Sequence, residues 1–170
     1  MKQIDNFLIP PYFDKLKELV YSSNFNWFYQ SSSLSDLEKC DNFMFTHKLW
    51  DLKDGNNSNY FPEFWHIFLY LKHHTQCKEL LRMKLNLYTN QNKKIYHAKH
   101  YDIMKEDDKP QEDVTIAVFN FTSCNGSTIV DGKEFISKEN SAVIFSNTLE
   151  HQGTVQTDHN ARIVLNIAFK

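Results

Sequence analysis

The chain has 170 residues, with 19 Lys and Arg against 21 Asp and Glu, a formal net charge of −2, 41% hydrophobic residues and 15% aromatic residues. Such a chain is long enough to bury a core as one domain, and its apolar content excludes a disordered chain. The slightly acidic balance supplies no basic field to grip a nucleic-acid backbone, which counts against nucleic acid as a partner. Cys40, Cys77 and Cys124 are widely spaced and odd in number, so they form neither a CxxC pair nor a disulfide framework. Reduced thiols are expected. Met1–Asp5 carries no apolar run of the signal-peptide kind, and no window approaches a membrane span. The reading is a soluble cytoplasmic protein, in the host cytoplasm if the source is viral.

In chain order, Ile4–Leu8 reads as a short strand. Pro10-Pro11 then open a helix, because proline fits the first helical turn, and Phe13, Leu16, Leu19 and Val20 carry it with an apolar stripe to Ser22. Asn26–Gln30 and Phe43–Trp50 read as strands, the polar stretch Ser31–Asp41 as a loop, and Asp51–Asn59, with Gly55-Asn56-Asn57, as a second loop. Pro62–His73 has Phe64, Trp65, Phe68, Leu69 and Leu71 in a helical pattern. From Glu79 the period changes. Leu81, Met83, Leu85 and Leu87 alternate with Arg82, Lys84, Asn86 and Tyr88, a strand with two unlike faces. Seven more short strands follow, at Ile95–Tyr101, Val114–Phe121, Thr128–Val130, Glu134–Ile136, Ser141–Phe145, Gln152–Gln156 and Arg162–Phe169. Eight short strands with regular turns predict a mainly β fold, a double-sheet jelly roll over 79–170, with residues 1–78 as a helical and strand support packed on the larger sheet.

The chemistry concentrates at His100-x-Asp102. On an extended strand residues two apart point to one face, which pairs an imidazole with a carboxylate. His151 follows 49 positions after Asp102. Two imidazoles and one carboxylate on one side of a metal leave the other side open, the facial arrangement of non-haem Fe(II) oxygenases, whereas structural zinc prefers a closed, thiolate-rich set. Each of the three residues is ordinary taken alone on a strand surface. His97 lacks a carboxylate two residues on, so it reads as flanking the metal or facing substrate. His73 and His74 read as solvated or helix-capping. His47, His66 and His159 read as structural or exposed. The mixed-charge run Lys105–Lys109 reads as a mobile loop, or a lid following the His-x-Asp strand.

The order Asn86-Leu87-Tyr88, His100-Tyr101-Asp102, His151 and Arg162 resembles the Fe(II)- and 2-oxoglutarate-dependent oxygenases. The likeness is to the prolyl-hydroxylase-like branch and its small phage and bacterial members, and runs from about Leu80 to Phe169. The resemblance implies a double-stranded β-helix whose second and seventh strands are antiparallel neighbours in the smaller sheet, and whose first and eighth lie side by side in the larger. His100, Asp102 and His151 would then hold Fe(II) as the catalytic centre. Arg162 would take the distal carboxylate of 2-oxoglutarate, with Tyr88, Asn86 and Asn166 lending hydrogen bonds. The implied activity is a hydroxylase consuming 2-oxoglutarate and dioxygen, releasing succinate and CO2, and acting on an unidentified substrate such as a prolyl or other protein side chain. On the third strand related sequences commonly read like Ile-Tyr-Tyr-Leu-Asn, but here stand Val118-Phe119-Asn120-Phe121-Thr122, so a tyrosine hydroxyl near the co-substrate is missing. Two other readings compete: a non-catalytic jelly-roll module binding a sugar or small acid, and a nucleic-acid-modifying oxygenase, which the charge balance disfavours. Arg162 separates the first, because a buried inward arginine without a carboxylate partner is costly unless a diacid binds.

Overall fold

A computed structural model describes residues 1–32 and 43–170. The chain runs β1 (Lys2–Asp5), α1 (Pro10–Tyr21), β2 (Phe28–Gln30), β3 (Met44–Asp51), β4 (Gly55–Asn56), α2 (Phe61–His74), β5 (Leu80–Thr89), β6 (Thr115–Asn120), β7 (Ser127–Val130), β8 (Lys133–Ile136), β9 (Ser141–Ser146), β10 (His151–Gly153) and β11 (Ala161–Phe169). The loop expected at Ser31–Asp41 lies mostly outside the described residues, as does Cys40. Among the described residues no helix is long and apolar enough to cross a membrane.

The larger sheet has the order β1-β9-β6-β11-β5-β3-β2, with β4 paired to β3, and the smaller has the order β10-β7-β8. Every pairing is antiparallel. Alternation along the central strands separates two cores. Met83, Leu85, Ala117, Phe119, Ile163, Leu165 and Ile167 face the helices and pack with Phe13 and Leu16 of α1 and Phe64, Ile67 and Leu71 of α2. Ile116, Val118, Val143, Phe145, Val164 and Ala168 face the other way, toward Val130 and Phe135 of the smaller sheet. Both helices therefore cover the outer face of the larger sheet, as the sequence predicts.

The first and eighth strands of the jelly roll, β5 and β11, lie side by side, with Arg162 opposite Tyr88 and Val164 opposite Asn86. The second expected strand differs from the prediction. Residues 95–101 run antiparallel to β10 but make only two isolated bridges, Tyr96 to Thr154 and His100 to His151. The His100 Nδ1 lies 3.1 Å from the Ala98 carbonyl, which turns that carbonyl inward along its own chain and interrupts the ladder. The smaller sheet thus shows three continuous strands with a broken fourth beside β10. At the N-terminus the strand ends at Asp5, because Asn6 adopts a positive φ of 50° and sends Phe7 and Leu8 into the helix-side core.

Candidate active site

Bridging of His100 to His151 brings the two imidazoles together, with ring centroids 4.4 Å apart and planes tilted by 48°. Asp102 follows at the end of the same segment, and its Oδ2 lies 3.2 Å from His151 Nε2. One ligand atom from each of His100, Asp102 and His151 lies within 4.8 Å of the others. That set is compact enough for one ion. With Nδ1 of His100 donating to Ala98, its Nε2 lone pair is left for a metal. Burial, and then the neighbouring His151, push the His100 pKa down, so the ring is neutral and ready to ligate.

Asp102 is held from three directions. Arg82 donates to its Oδ1 and to its main-chain carbonyl, and Asn166 Nδ2 donates to Oδ2 at 3.0 Å. Arg82 also donates to Asn166 Oδ1 at 3.0 Å, closing a three-residue ring. Burial alone would raise the Asp102 carboxyl, but the Arg82 guanidinium and then the hydrogen bond with His151 outweigh it and hold the group well below the usual carboxylate value. Asn147, fully buried, fixes the backbone on either side: its Oδ1 accepts from the Asp102 and Ile103 amides, and its Nδ2 donates to Ile103 and Gln111. Arg82 and Asn147 are parts of the site that sequence reasoning missed. The polar face of β5 was a signal for the first; nothing local announces the second.

The same cavity is lined by Lys84, Asn86, Tyr88, His97, Val118, Thr128, Gly153, Arg162 and Val164. Arg162 is 1% exposed. Its Nη2 donates to Thr128 Oγ1 at 3.0 Å, its Nη1 reaches the Thr154 carbonyl at 3.3 Å, and its Cζ sits 5.7 Å from the Tyr88 ring centroid. No carboxylate of the described residues pairs with it, and its Nε has no partner. Burial lowers its pKa, yet a guanidinium stays charged at neutral pH. Among the described residues this buried cation is held by neutral groups. His97 is buried against Tyr88, with centroids 4.7 Å apart, and its Nε2 also lacks a partner. Burial, then the Arg162 charge, pull its pKa down to about 3, so it is a neutral ring. Burial pushes the Tyr88 hydroxyl up, so it is protonated.

Among the other sequence candidates, Asn86 lines the cavity with an unpartnered Oδ1, whereas both ends of the Asn166 amide are engaged with Asp102 and Arg82. His47 lies away from the cavity, its ring nitrogens near the Asn26 carbonyl and Ser58 Oγ. Of the two residues standing opposite the family's tyrosines, Phe119 packs on the helix side and Asn120 is bonded to Ser137 and Ser141, while Val118 faces the cavity.

Two glycines shape the pocket. A Cβ on Gly126 would stand 2.8 Å from Arg162 Cδ, and one on Gly153 would stand 3.2 Å from His97 Nδ1. Backbone closeness at these points lets Arg162 and His97 lie where they do. Gly126→Ala is expected to displace the arginine stem and lower stability by about 1–3 kcal/mol, the usual cost of overpacking. Thermal melting of the variant against the wild type checks this.

No protein-family model matches this sequence, and no curated protein is significantly similar to it. Solved structures match over nearly its whole length. The chain is similar to an oxidoreductase of the 2OG-Fe(II) oxygenase family from Burkholderia pseudomallei, at TM-score 0.71 and 10% identity, over 99% of this chain and 84% of that one. It is similar to a Pseudomonas putida prolyl-4-hydroxylase at TM-score 0.63 and 14% identity, over 99% and 91%. It is also similar to HygX from Streptomyces hygroscopicus, solved with nickel, 2-oxoglutarate and hygromycin B, at TM-score 0.61 and 9% identity, over 98% and 81%. The chain therefore has the fold of the 2OG-Fe(II) oxygenases.

Proposed function

We propose that this protein is an Fe(II)- and 2-oxoglutarate-dependent dioxygenase that hydroxylates a substrate with release of succinate and CO2. One observation carries the reading. A compact His100–Asp102–His151 set and a buried guanidinium with no carboxylate partner among the described residues line one cavity. A binding module would have no use for the first, and the second is costly without an anion. The fold supports the reading, since HygX has been solved with nickel and 2-oxoglutarate.

In this reading His100, Asp102 and His151 hold the iron, with the His100 ring neutral and the Asp102 carboxylate ionised. Bound iron supplies oxidative decarboxylation of 2-oxoglutarate and insertion of one oxygen atom into a C–H bond. The protein supplies position. Arg162 offers a planar fork to the distal carboxylate, with Thr128 Oγ1 and the protonated Tyr88 as neighbours. His97 Nε2, unpartnered, would donate to the same co-substrate in the tautomer that protonates it, whereas Asn86, which lines the cavity, could donate only through its Nδ2. Arg82 and Asn166 orient Asp102 by taking one lone pair on each carboxylate oxygen, and the ion would use a remaining lone pair of Oδ2, the oxygen beside His151. Val118 and Val164 are apolar patches in a mostly polar lining, and it is the burial of the pocket that makes charge pairs inside it stronger than in water.

The test is conversion of 2-oxoglutarate to succinate by the purified chain, with and without Fe(II). Iron-dependent succinate above the chelated control is the expected result. Absence of both succinate formation and 2-oxoglutarate binding to the metal-loaded protein would overturn the reading.

A further inference from the structure

We infer that Lys84 receives an anionic oxygen group of the primary substrate, a carboxylate or a phosphate, so that the molecule oxidised here is an acid. The inference rests on the dioxygenase reading above. Lys84 sits on the inward face of β5 between Arg82 and Asn86, opposite Asn166 on β11 and Lys48 on β3, and it lines the cavity that holds the histidines and Asp102. Its cationic neighbours have partners. Arg82 is bound to Asp102, and Lys48 lies 3.7 Å from Asp51 and 3.4 Å from Asp54. Among the described residues none makes an ion pair or hydrogen bond with the Lys84 ammonium.

The proposed metal and co-substrate do not absorb this charge. A divalent cation and a dianionic co-substrate cancel, and Asp102 offsets one of the two arginines. The loaded cavity would then keep one arginine charge and Lys84, and it remains positive. A neutral or cationic substrate would leave that field uncompensated in a low-dielectric pocket; an anion relieves it. Position adds to the argument. Along β5 the inward residues run from Tyr88, beside Arg162, through Asn86 and Lys84 to Arg82, beside Asp102. Lys84 thus lies toward the Asp102 end, away from the pocket of Arg162, where a substrate group rather than the distal co-substrate carboxylate is placed. Burial, then the Arg82 charge, lower its pKa to about 8, and a bound anion would restore full protonation. A lysine that merely extends its ammonium to water would show no selectivity for anions.

The experiment uses the full chain loaded with Zn(II), a redox-silent and diamagnetic ion, and saturated with 2-oxoglutarate. Acetate, methylphosphonate and the neutral acetamide are each titrated by saturation-transfer NMR on their methyl protons. Acetate or methylphosphonate is expected to bind saturably to the wild type and to Lys84→Arg, and about tenfold more weakly to Lys84→Met and Lys84→Gln. The stronger of the two anions identifies the carboxylate or the phosphate class. Anions that bind no better than acetamide, or equally to all four proteins, would overturn the inference. Binding of 2-oxoglutarate is measured first on each protein. A wild type that fails to bind it overturns the dioxygenase reading, whereas normal binding without a Lys84-dependent anion response overturns this inference alone.

Discussion

Arg162→Lys is expected to weaken 2-oxoglutarate binding at least about tenfold, roughly 1.4 kcal/mol. The lysine keeps the charge but loses the fork that meets a carboxylate with two parallel hydrogen bonds. It also loses the flat guanidinium that lies over Tyr88 and the second donor that reaches Thr128 Oγ1. Arg162→Met goes further and reverses the sign of the effect on stability. Without ligand, wild-type Arg162 is a buried cation with only neutral acceptors, so the apolar variant is expected to melt no lower than wild type, and up to about 1–2 kcal/mol more stable. It should also lose the stabilisation that 2-oxoglutarate gives the wild type. Thermal melts of the three proteins at fixed Mn(II), with and without 2-oxoglutarate, read both effects. Equal co-substrate response in Arg162→Lys and wild type would mean that another cation, Lys84 or Arg82, takes the distal carboxylate.

The strands were legible in their period-two alternation, whereas the grouping of His100, Asp102, His151 and Arg162 came from the resemblance to the 2-oxoglutarate-dependent oxygenases, which implies which strands are neighbours. The resemblance implied that the first and eighth strands lie side by side with Tyr88 and Arg162 at the same end, and the observed register puts the two opposite each other. What escaped the sequence depends on contacts between distant segments. The polar face of β5 looks like a solvent face, yet the sandwich turns it inward, where Arg82 meets Asp102 from 20 residues away and Lys84 lines the cavity. Asn147 grips the backbone beyond Asp102 from 45 residues on, through amide bonds that no periodicity encodes. The strand expected at Ile95–Tyr101 frays for a local reason, the pull of the His100 ring on the Ala98 carbonyl. Such side-chain competition with the ladder is invisible to alternation.

The largest effect is expected at Asp102. Asp102→Ala should leave no detectable succinate formation, since it removes the only carboxylate of the candidate metal set. It should also destabilise the metal-free protein, because Arg82, whose side chain is 18% exposed, loses the partner that compensates its charge. Removing one member of a buried pair costs about 3–5 kcal/mol, and partial exposure places this case near the lower end. At this chain length each kcal/mol moves the melting temperature by roughly 2–4 °C. Two comparisons separate chemistry from stability. Arg82→Met with Asp102→Ala removes both charges, and is expected to recover much of the lost stability with none of the activity. Asp102→Asn keeps an acceptor for Arg82 but not the charge, and its deficit should depend on pH. The Asp102 pKa is depressed in the folded state, so its contribution is complete above the unfolded value near about 3.9 and is lost as pH falls from there toward the native value. Wild type and Asp102→Asn should therefore differ most at neutral pH and converge in acid below about pH 4. Denaturant titrations of the metal-free proteins at a series of pH values measure the gap, and a gap that stays constant into acid would mean that the Arg82 pair does not set the ionisation of Asp102.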